Sequence, residues 1–322
     1  MTVSAANASM TTHFLPANAS TTRQGVLDHG HPPILDIDSG DVVVLETLGM
    51  WGGAVTPSTT FDEVLQLRRR HAGQGPHTLT GPIQVRGARA GMVLNVEIEK
   101  LVLNEHGFNL LLPSGETRGL LSDAFDKGSI RHFALDRDAM TTRFSSGITL
   151  PLRPFLGIMA VAPEAPGAHI SSVPGNFGGN IDCPELGEGA TLHLPIWVEG
   201  ALFYAGDAHA VQGCGEVCQT ALETSFREVR LRFSLDTGKS LVRPRISTPA
   251  ALVTLGFDPD LRTAARQATA DMVAWLSGEY GLRADDAYVL CSLQADLMIT
   301  QIVNGNNGVH MKLPRRLLER RA

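Results

Sequence analysis

Short apolar runs bounded by turn-forming residues recur through the first two thirds of the chain. Runs at 34–37 and 42–47 flank Ser39, Gly40 and Asp41, and a similar pair of runs occurs at 81–88 and 92–101. Runs of this length between Gly, Pro, Ser and Asp predict β-strands. We interpret each pair as a β-hairpin, and strands at such intervals favour a β-sandwich or barrel.

Helical periodicity occurs in three places. Residues 61–70, between the two predicted hairpins, have the period of a short helix. After Pro249 the pattern changes: an acidic and proline-containing start at 258–260 opens a predicted helix at 261–275. A second predicted helix runs from 284 to 303, before a strand at 308–314.

These patterns predict a mainly β fold: a β-sandwich or barrel body with a smaller C-terminal α+β part that carries two helices. Residues 1–30, rich in Ala, Ser, Thr and Asn at the start, form a predicted N-terminal leader. Residues 31–248 form the β-rich body, which holds the candidate metal and amide site. Residues 249–322 form the α+β part packed on that body.

Composition narrows the class of protein. Hydrophobic residues make up 43% of the 322 residues and charged residues 19%, as in a folded domain. The net charge of −6 gives no reason to expect nucleic acid as a partner. No apolar run reaches membrane-spanning length and the start lacks a signal-peptide pattern, so we expect no membrane partner and a cytoplasmic location. Four cysteines are too few for a disulfide framework.

The stretch from 175 to 223 concentrates Gly, Asp, Glu, His and Cys around short apolar runs. Asp207 and His209 follow the strand-like run at 201–205, and alternation along an extended chain puts both side chains on one face. A carboxylate and an imidazole on one face are half of a metal site. Asp182 and Glu216, each beside glycines that permit close approach, are candidates for the other half.

Five segments of the chain resemble the acetamidase/formamidase family, in the family's own order: 77–88, 151–163, 175–182, 194–216 and 308–314. The ordered set, which reaches across residues 30–314, is more specific than any one segment. The resemblance implies a β-rich sandwich or barrel body with a smaller α/β part. It also implies hydrolysis of short linear amides and dependence on a metal ion.

One position departs from the family pattern. The family commonly has Gly-Asp-Gly-Glu where this chain has Gly213, Cys214, Gly215 and Glu216. The change from a carboxylate to a thiol bears on both the metal and the amide that the site accepts.

The candidate residues divide by role. We expect a divalent ion, zinc first and calcium or another ion as alternatives, held by metal ligands from the group Asp182, Asp207, His209 and His77. Glu216 and Asp207 are the catalytic candidates, and Glu216 is either a metal ligand or a general base. The substrate-binding candidates are Asn176, Asn180 and Cys214.

Each candidate also has a purely structural interpretation. Asp207 and His209 would then be a polar strand end, Asp182 the acid of a tight turn, and Glu216 a charge at the start of a helix over 217–223. His77 would be a surface histidine. Cys214 and Cys218, four residues apart, would share one face if their segment were helical, and would then be buried structural thiols.

The functional hypothesis is a metal-dependent amidase, expected to be a homodimer, acting on a small amide substrate. In this mechanism the metal polarises the carbonyl and acidifies water, and Glu216 transfers the proton to the leaving amine. Two alternatives stay open at this point. One is a non-catalytic protein that binds a metal or small ligand on the same scaffold, and the other is an amidase with Cys214 as nucleophile.

Overall fold

The computed structural model describes residues 10–318. These residues contain 22 strands, four α-helices and one short 3₁₀-helix. The strands are β1 Thr12–Leu15, β2 Thr22–Gln24, β3 Val26–Leu27, β4 Leu35–Ile37, β5 Val42–Leu45, β6 Thr78–Val85, β7 Val93–Leu103, β8 His106–Leu111, β9 Ser129–Asp136, β10 Thr141–Ser145, β11 Ile148–Pro151, β12 Phe155–Ala160, β13 His169–Ile170, β14 Gly178–Asn180, β15 Thr191–Pro195, β16 Phe203–Val211, β17 Leu222–Thr224, β18 Phe226–Asp236, β19 Arg245–Ser247, β20 Ala251–Asp258, β21 Asp296–Gln301 and β22 Asn307–Pro314. The helices are α1 Met50–Gly53, α2 Phe61–Arg70, α3 Leu261–Tyr280, α4 Ala284–Gln294 and the 3₁₀-helix Arg315–Leu317.

Most strands belong to two large sheets. The nine-stranded sheet has the order β1-β5-β18-β7-β15-β19-β20-β22-β21. The eleven-stranded sheet runs β11-β10-β9-β8-β17-β16-β12-β14, with β6 beside β16 and β2 and β4 beside β6. Buried residues of both sheets form one hydrophobic core, in which Phe203 and Phe233 meet edge to face with ring centroids 5.1 Å apart. The predicted mainly β fold with a small helical part is therefore confirmed.

Neither predicted hairpin forms. Strands β4 and β5 exist, but β4 pairs in parallel with β6 in one sheet whereas β5 pairs with β1 and β18 in the other. Strands β6 and β7 likewise belong to different sheets. At the first crossing the Gly40 amide donates to the Phe233 carbonyl, 2.7 Å away, so the turn is held by the nine-stranded sheet. The two turns therefore carry the chain from one sheet to the other, which places the apolar residues on both sides of each turn in the shared core.

The helices pack outside the sandwich. The predicted helix at 61–70 is confirmed as α2, which Thr60 and Glu63 cap reciprocally. Helix α3 extends the predicted helix to Tyr280 and ends at Gly281, whose φ of +70° suits glycine. Helices α3 and α4 cover the outer face of β20 and β22.

The predicted second helix was too long. It ends at Gln294, and the rest of the predicted span contains β21, which pairs with β22. β-branched residues at Ile299 and Thr300 favour an extended chain. Pairing with a strand that lies next to it in sequence outweighs the helical spacing of the leucines.

The N-terminal segment takes part in the sheets. Residues 1–9 of the predicted leader lie outside the described residues. Strand β1 pairs with β5 and β2 pairs with β6, so both strands lie on the body. At the boundary predicted after residue 248, β19 on one side pairs with β20 on the other, so one sheet continues across it.

No helix within residues 10–318 is both long enough and apolar enough to cross a bilayer.

Candidate active site

The site is built on β16, which pairs with β12, β17 and β6. Asp207 and His209 lie on this strand, and Asp207 Oδ2 is 3.3 Å from His209 Nε2. Both side chains are buried, at 6% and 1% exposure of the residue. The sequence prediction that this pair shares one face therefore agrees with the structure.

Two further carboxylates approach the other ring nitrogen. Asp182 lies two residues after β14, and its amide donates to the Gly157 carbonyl, which places its Oδ1 3.9 Å from His209 Nδ1. Glu216 comes from the loop after β16, held by a bond from the Gly215 amide to the Thr300 carbonyl. Atoms of Asp182, His209 and Glu216 that could each bind a metal lie within 4.8 Å of one another.

Glu223 completes the cluster and was missed by the sequence analysis. It lies on β17 opposite His209, with Oε2 3.4 Å from Nε2, and its Oε1 accepts a bond from the Ala221 amide. Asp207, His209 and Glu223 form a second group of candidate metal ligands. The expected helix over 217–223 does not form, because this segment is a loop that leads into β17. The signal in the sequence was a glutamate between Leu222 and the β-branched Thr224, which suits a short strand.

Three polar residues surround the cluster. His77 Nε2 is 3.8 Å from Asp207 Oδ2, and its Nδ1 lies 2.8 Å from Ser171 Oγ. Asn180 is buried and lines the cavity above the cluster. Asn304, which was not predicted, donates to Asp182 Oδ2 over 2.5 Å. His77 is thus a buried residue of the site and not a surface histidine.

Two predicted residues lie elsewhere. Asn176 is exposed at the tip of a tight turn closed by hydrogen bonds between Gly175 and Gly178, and its carbonyl accepts a bond from Trp197. Cys214 is also exposed, and neither residue lines the cavity. Burial of part of the thiol, together with the charge of Glu185, raises the pKa of Cys214, which disfavours the thiolate.

The backbone of the site adopts an unusual conformation. Asp182, Asp207 and Glu216 have φ values of +51°, +58° and +47°, in the left-handed region that non-glycine residues rarely occupy. Each such residue costs on the order of 1 kcal/mol or more. Three carboxylates held this way around one histidine indicate a functional constraint on their positions.

Carboxyl groups outnumber imidazoles in the cluster. Burial raises the pKa of Asp182 and of Glu216 well above the usual range, and neighbouring carboxylates add to both shifts. Burial opposes the charged forms of His209 and Asp207 too. The contacts of His209 with Asp207 and Glu223 outweigh burial and raise the pKa of His209. The nearby His77 and His209 likewise outweigh burial for Asp207 and lower its pKa to about 2.

The residues fit a metal ion. Asp182 Oδ1, His209 Nδ1 and Glu216 Oε2 are buried and have no hydrogen-bond partner among the described residues. Buried acceptors without donors are costly, and a cation between them would satisfy all three. Carboxylate oxygen with imidazole nitrogen is a donor set that suits zinc and several other divalent ions.

These features define a β-sandwich protein with the parts of a hydrolase site: buried carboxylates around a histidine at the floor of a cavity. The chain belongs to the acetamidase/formamidase family, whose sequence profile matches residues 26–169 and 167–320. The resemblance drawn from the sequence is therefore confirmed.

Individual relatives agree with this assignment. The crystal structure of an acetamidase from Yersinia enterocolitica superposes with a TM-score of 0.86 at 29% identity, covering 98% of this chain and 95% of that one. The crystal structure of an acetamidase from Bacillus halodurans superposes with a TM-score of 0.84 at 27% identity, covering 94% of this chain and 98% of that one. A protein of Schizosaccharomyces pombe provisionally named a formamidase is 24% identical over 242 residues, 58% of this chain, and the chain spans 58% of that relative's length. The family and these structures support amide hydrolysis.

Proposed function

We propose that this protein hydrolyses short linear amides to a carboxylate and ammonia, with the help of a bound divalent metal ion. The observation that carries the proposal is the convergence of three buried polar atoms, on Asp182, His209 and Glu216, that have no hydrogen-bond partner within residues 10–318. Membership of the acetamidase/formamidase family supports the reaction class.

The proposed ligands come from the two groups that share His209. Asp182 and Asp207 approach different nitrogens of the imidazole, and Glu223 and His77 adjoin the Asp207 side. We expect zinc, with calcium or another divalent ion as alternatives. A divalent ion held there supplies Lewis acidity, which polarises an amide carbonyl and makes water acidic enough to react near neutral pH.

Glu216 is the proposed proton carrier. Its carboxylate is buried, lines the cavity and has a raised pKa, which brings its proton affinity closer to neutral pH. It can therefore take a proton from the attacking water and give it to the leaving amine. Its alternative role is as a metal ligand, which the same geometry allows, and the metal content of a Glu216→Gln variant separates the two.

Asn180 is the proposed substrate contact. Its Oδ1 is buried without a partner in the described part of the chain, and Asn180 lines the cavity, where this oxygen can accept a hydrogen bond from the amide N–H of a substrate. Pairing this oxygen only when substrate is bound would orient the amide against the cluster. The exposed positions of Asn176 and Cys214 leave them without a role in this proposal.

The test combines metal content with turnover. Protein purified without added metal is analysed for bound elements, then assayed for ammonia release from formamide, acetamide and propionamide. We expect about one divalent ion per chain, loss of turnover on chelation and recovery when the ion is restored. Full turnover in metal-free protein would contradict metal dependence, and tightly bound metal without turnover on any amide would favour a non-catalytic binder. The homodimer stays a prediction, which sedimentation of the same preparation would check.

A further inference from the structure

The cavity above the cluster is larger than a short amide needs. Its volume is about 440 Å³. A water molecule occupies about 30 Å³ in the liquid, so an amide the size of acetamide would fill on the order of 100 Å³. The remaining space belongs to the part of the substrate that does not react, and its lining indicates what that part is.

The walls next to the polar floor are apolar. Met50 and Trp51 on α1 are 8% and 7% exposed, and Leu110 and Leu112 on or next to β8 are 1% and 3% exposed. Trp51 has a φ of +51°, so the fold holds this indole in the wall at a conformational cost. Ile170, which also lines the cavity, is 40% exposed, so a formamide bound at the carboxylates would leave it against water, whereas an alkyl chain would cover it.

The exposed rim of the cavity is cationic. Arg68, Arg69 and Arg118 line it, against one carboxylate, Glu116. Within residues 10–318, Arg69 and Arg118 form no ion pair, and the Arg68 guanidinium lies 3.8 Å from a Glu116 carboxylate that is half exposed. Arg68 Nε is moreover buried without an acceptor. The rim therefore has an excess of positive charge, although one Arg68 N–H already donates to the Glu116 carbonyl, 2.8 Å away.

The dipole of helix α2 explains only part of the positive charge at the rim. Arg68 and Arg69 occupy the last turn of α2, where cations are favoured by the helix dipole. Arg118 lies on a separate loop after β8, which Gln219 holds through bonds from the Thr117 hydroxyl and the Arg118 amide. Two unrelated elements thus bring guanidinium groups to one rim.

We propose that the preferred substrates are monoamides of aliphatic dicarboxylic acids. The amide is hydrolysed at the polar floor, the alkyl chain lies on the Trp51 wall, and Arg68 and Arg118 at the rim bind the distal carboxylate. Guanidinium groups suit this role because they bind carboxylates through paired hydrogen bonds. This substrate class rests on the amide hydrolysis proposed above and names the amide that the site accepts.

The test compares acetamide, hexanamide and adipamate, which differ stepwise by an alkyl chain and then by a terminal carboxylate. We expect kcat/KM to rise by about fourfold for each methylene that reaches the wall. We expect adipamate to exceed hexanamide by at least about tenfold, mainly through a lower KM and less so at high salt.

Variants that reverse the charge of one arginine test where the distal carboxylate of the substrate binds. Arg118→Glu or Arg68→Glu should lower the adipamate-to-hexanamide ratio of kcat/KM by at least about tenfold, and should raise the relative rate on 6-aminohexanamide. Arg70→Glu is the matched control, since Arg70 is exposed on the same helix but does not line the cavity, and we expect its ratio to match the parent.

The outcomes separate the two proposals. If acetamide is hydrolysed and adipamate is no better than hexanamide, the substrate class is wrong while amide hydrolysis stands. An equal loss in the Arg70→Glu control would also overturn the substrate class, because general charge and not the rim would then set the ratio. If no amide of any length is hydrolysed, the proposed function itself fails.

Discussion

Gly157 on β12 lies directly opposite Asp207 on β16, at the point where the two strands support the cluster. An added Cβ at Gly157 would come within 2.4 Å of Asp207 Oδ2, 2.7 Å of Asp182 Oδ1 and 2.8 Å of His209 Cε1. The missing side chain at this one position therefore creates the space in which three site residues meet.

We expect Gly157→Ala to abolish most activity while the protein still folds. The methyl group would displace the carboxylates and the imidazole, and shifts of about 1 Å at a reacting centre cost on the order of 100-fold in rate. Overpacking should lower the free energy of unfolding by about 1–3 kcal/mol. Turnover, bound metal and urea unfolding measure the three effects. Gly213→Ala is the control, because a Cβ there meets nothing within 4 Å, and parent-like activity in Gly157→Ala would show that the space is not needed.

His209→Ala should lose bound metal and amide hydrolysis together. His209 belongs to both candidate ligand groups, so its removal weakens either arrangement, and we expect the metal affinity to fall by more than about 100-fold. Metal titration and ammonia release check this result. His169→Ala provides a comparison, since His169 lies outside the cavity and bonds to the Ala165 carbonyl. Unchanged metal occupancy in His209→Ala would remove His209 from the site.

Glu216→Gln should separate metal binding from proton transfer. A glutamine keeps the shape of the side chain but cannot carry a proton, so we expect a fall in kcat of about 100-fold or more with most of the metal retained. Elemental analysis and steady-state kinetics on the same sample measure both. Glu199→Gln, an exposed change with the same loss of charge, should leave both unchanged. A parallel loss of metal and rate would instead make Glu216 a ligand.

The strands were predictable from the sequence, but their partners were not. Turn residues such as Gly40 show where a chain reverses or bends, yet nothing local says whether the flanking strands pair with each other. Here β4 and β5 enter different sheets because both bury their apolar residues in the core between them. Strand β21 was mistaken for helix because the leucines of the predicted span have helical spacing, which does not show that the segment pairs with the next strand, β22.

The site was predictable where one strand or a glycine-rich flank determined it. Alternation on β16 identified Asp207 and His209, and glycines marked Asp182 and Glu216. Glu223 was missed because its contact with His209 depends on pairing between two strands. The sequence alone also led us to place Asn176 in the site. In the structure the turn between Gly175 and Gly178 leaves this residue exposed to solvent.

Cys214→Ser should retain substantial turnover. The thiol is exposed, lies outside the cavity and has a raised pKa, so it lacks the features of an activated nucleophile. We also expect the parent enzyme to remain active after alkylation of this thiol. The decisive measurement is the mass of protein trapped during turnover: an acyl group on the peptide that contains Cys214, with activity lost in the serine variant, would establish covalent catalysis.

His310 should make the protein less stable in mild acid. Its ring is fully buried on β22, with Nδ1 2.8 Å from Thr300 Oγ1 and Nε2 without a partner among residues 10–318, and burial lowers its pKa to about 4. The unfolded value is about 6.5. Between these values the unfolded chain binds the proton more tightly than the folded protein does, so the stabilising contribution is complete above pH 6.5 and is lost as the pH falls towards 4.

The contribution at stake is on the order of 3 kcal/mol, and His310→Gln isolates it because glutamine does not titrate but can still bond to Thr300. We expect the free energy of unfolding of the parent, measured in urea, to fall more steeply between pH 6.5 and 4 than that of the variant. Some slope should persist in the variant, because burial also lowers the pKa of His193 to about 4. Equal slopes in the two proteins would mean that His310 takes up its proton without opening the fold, and would refute the assignment.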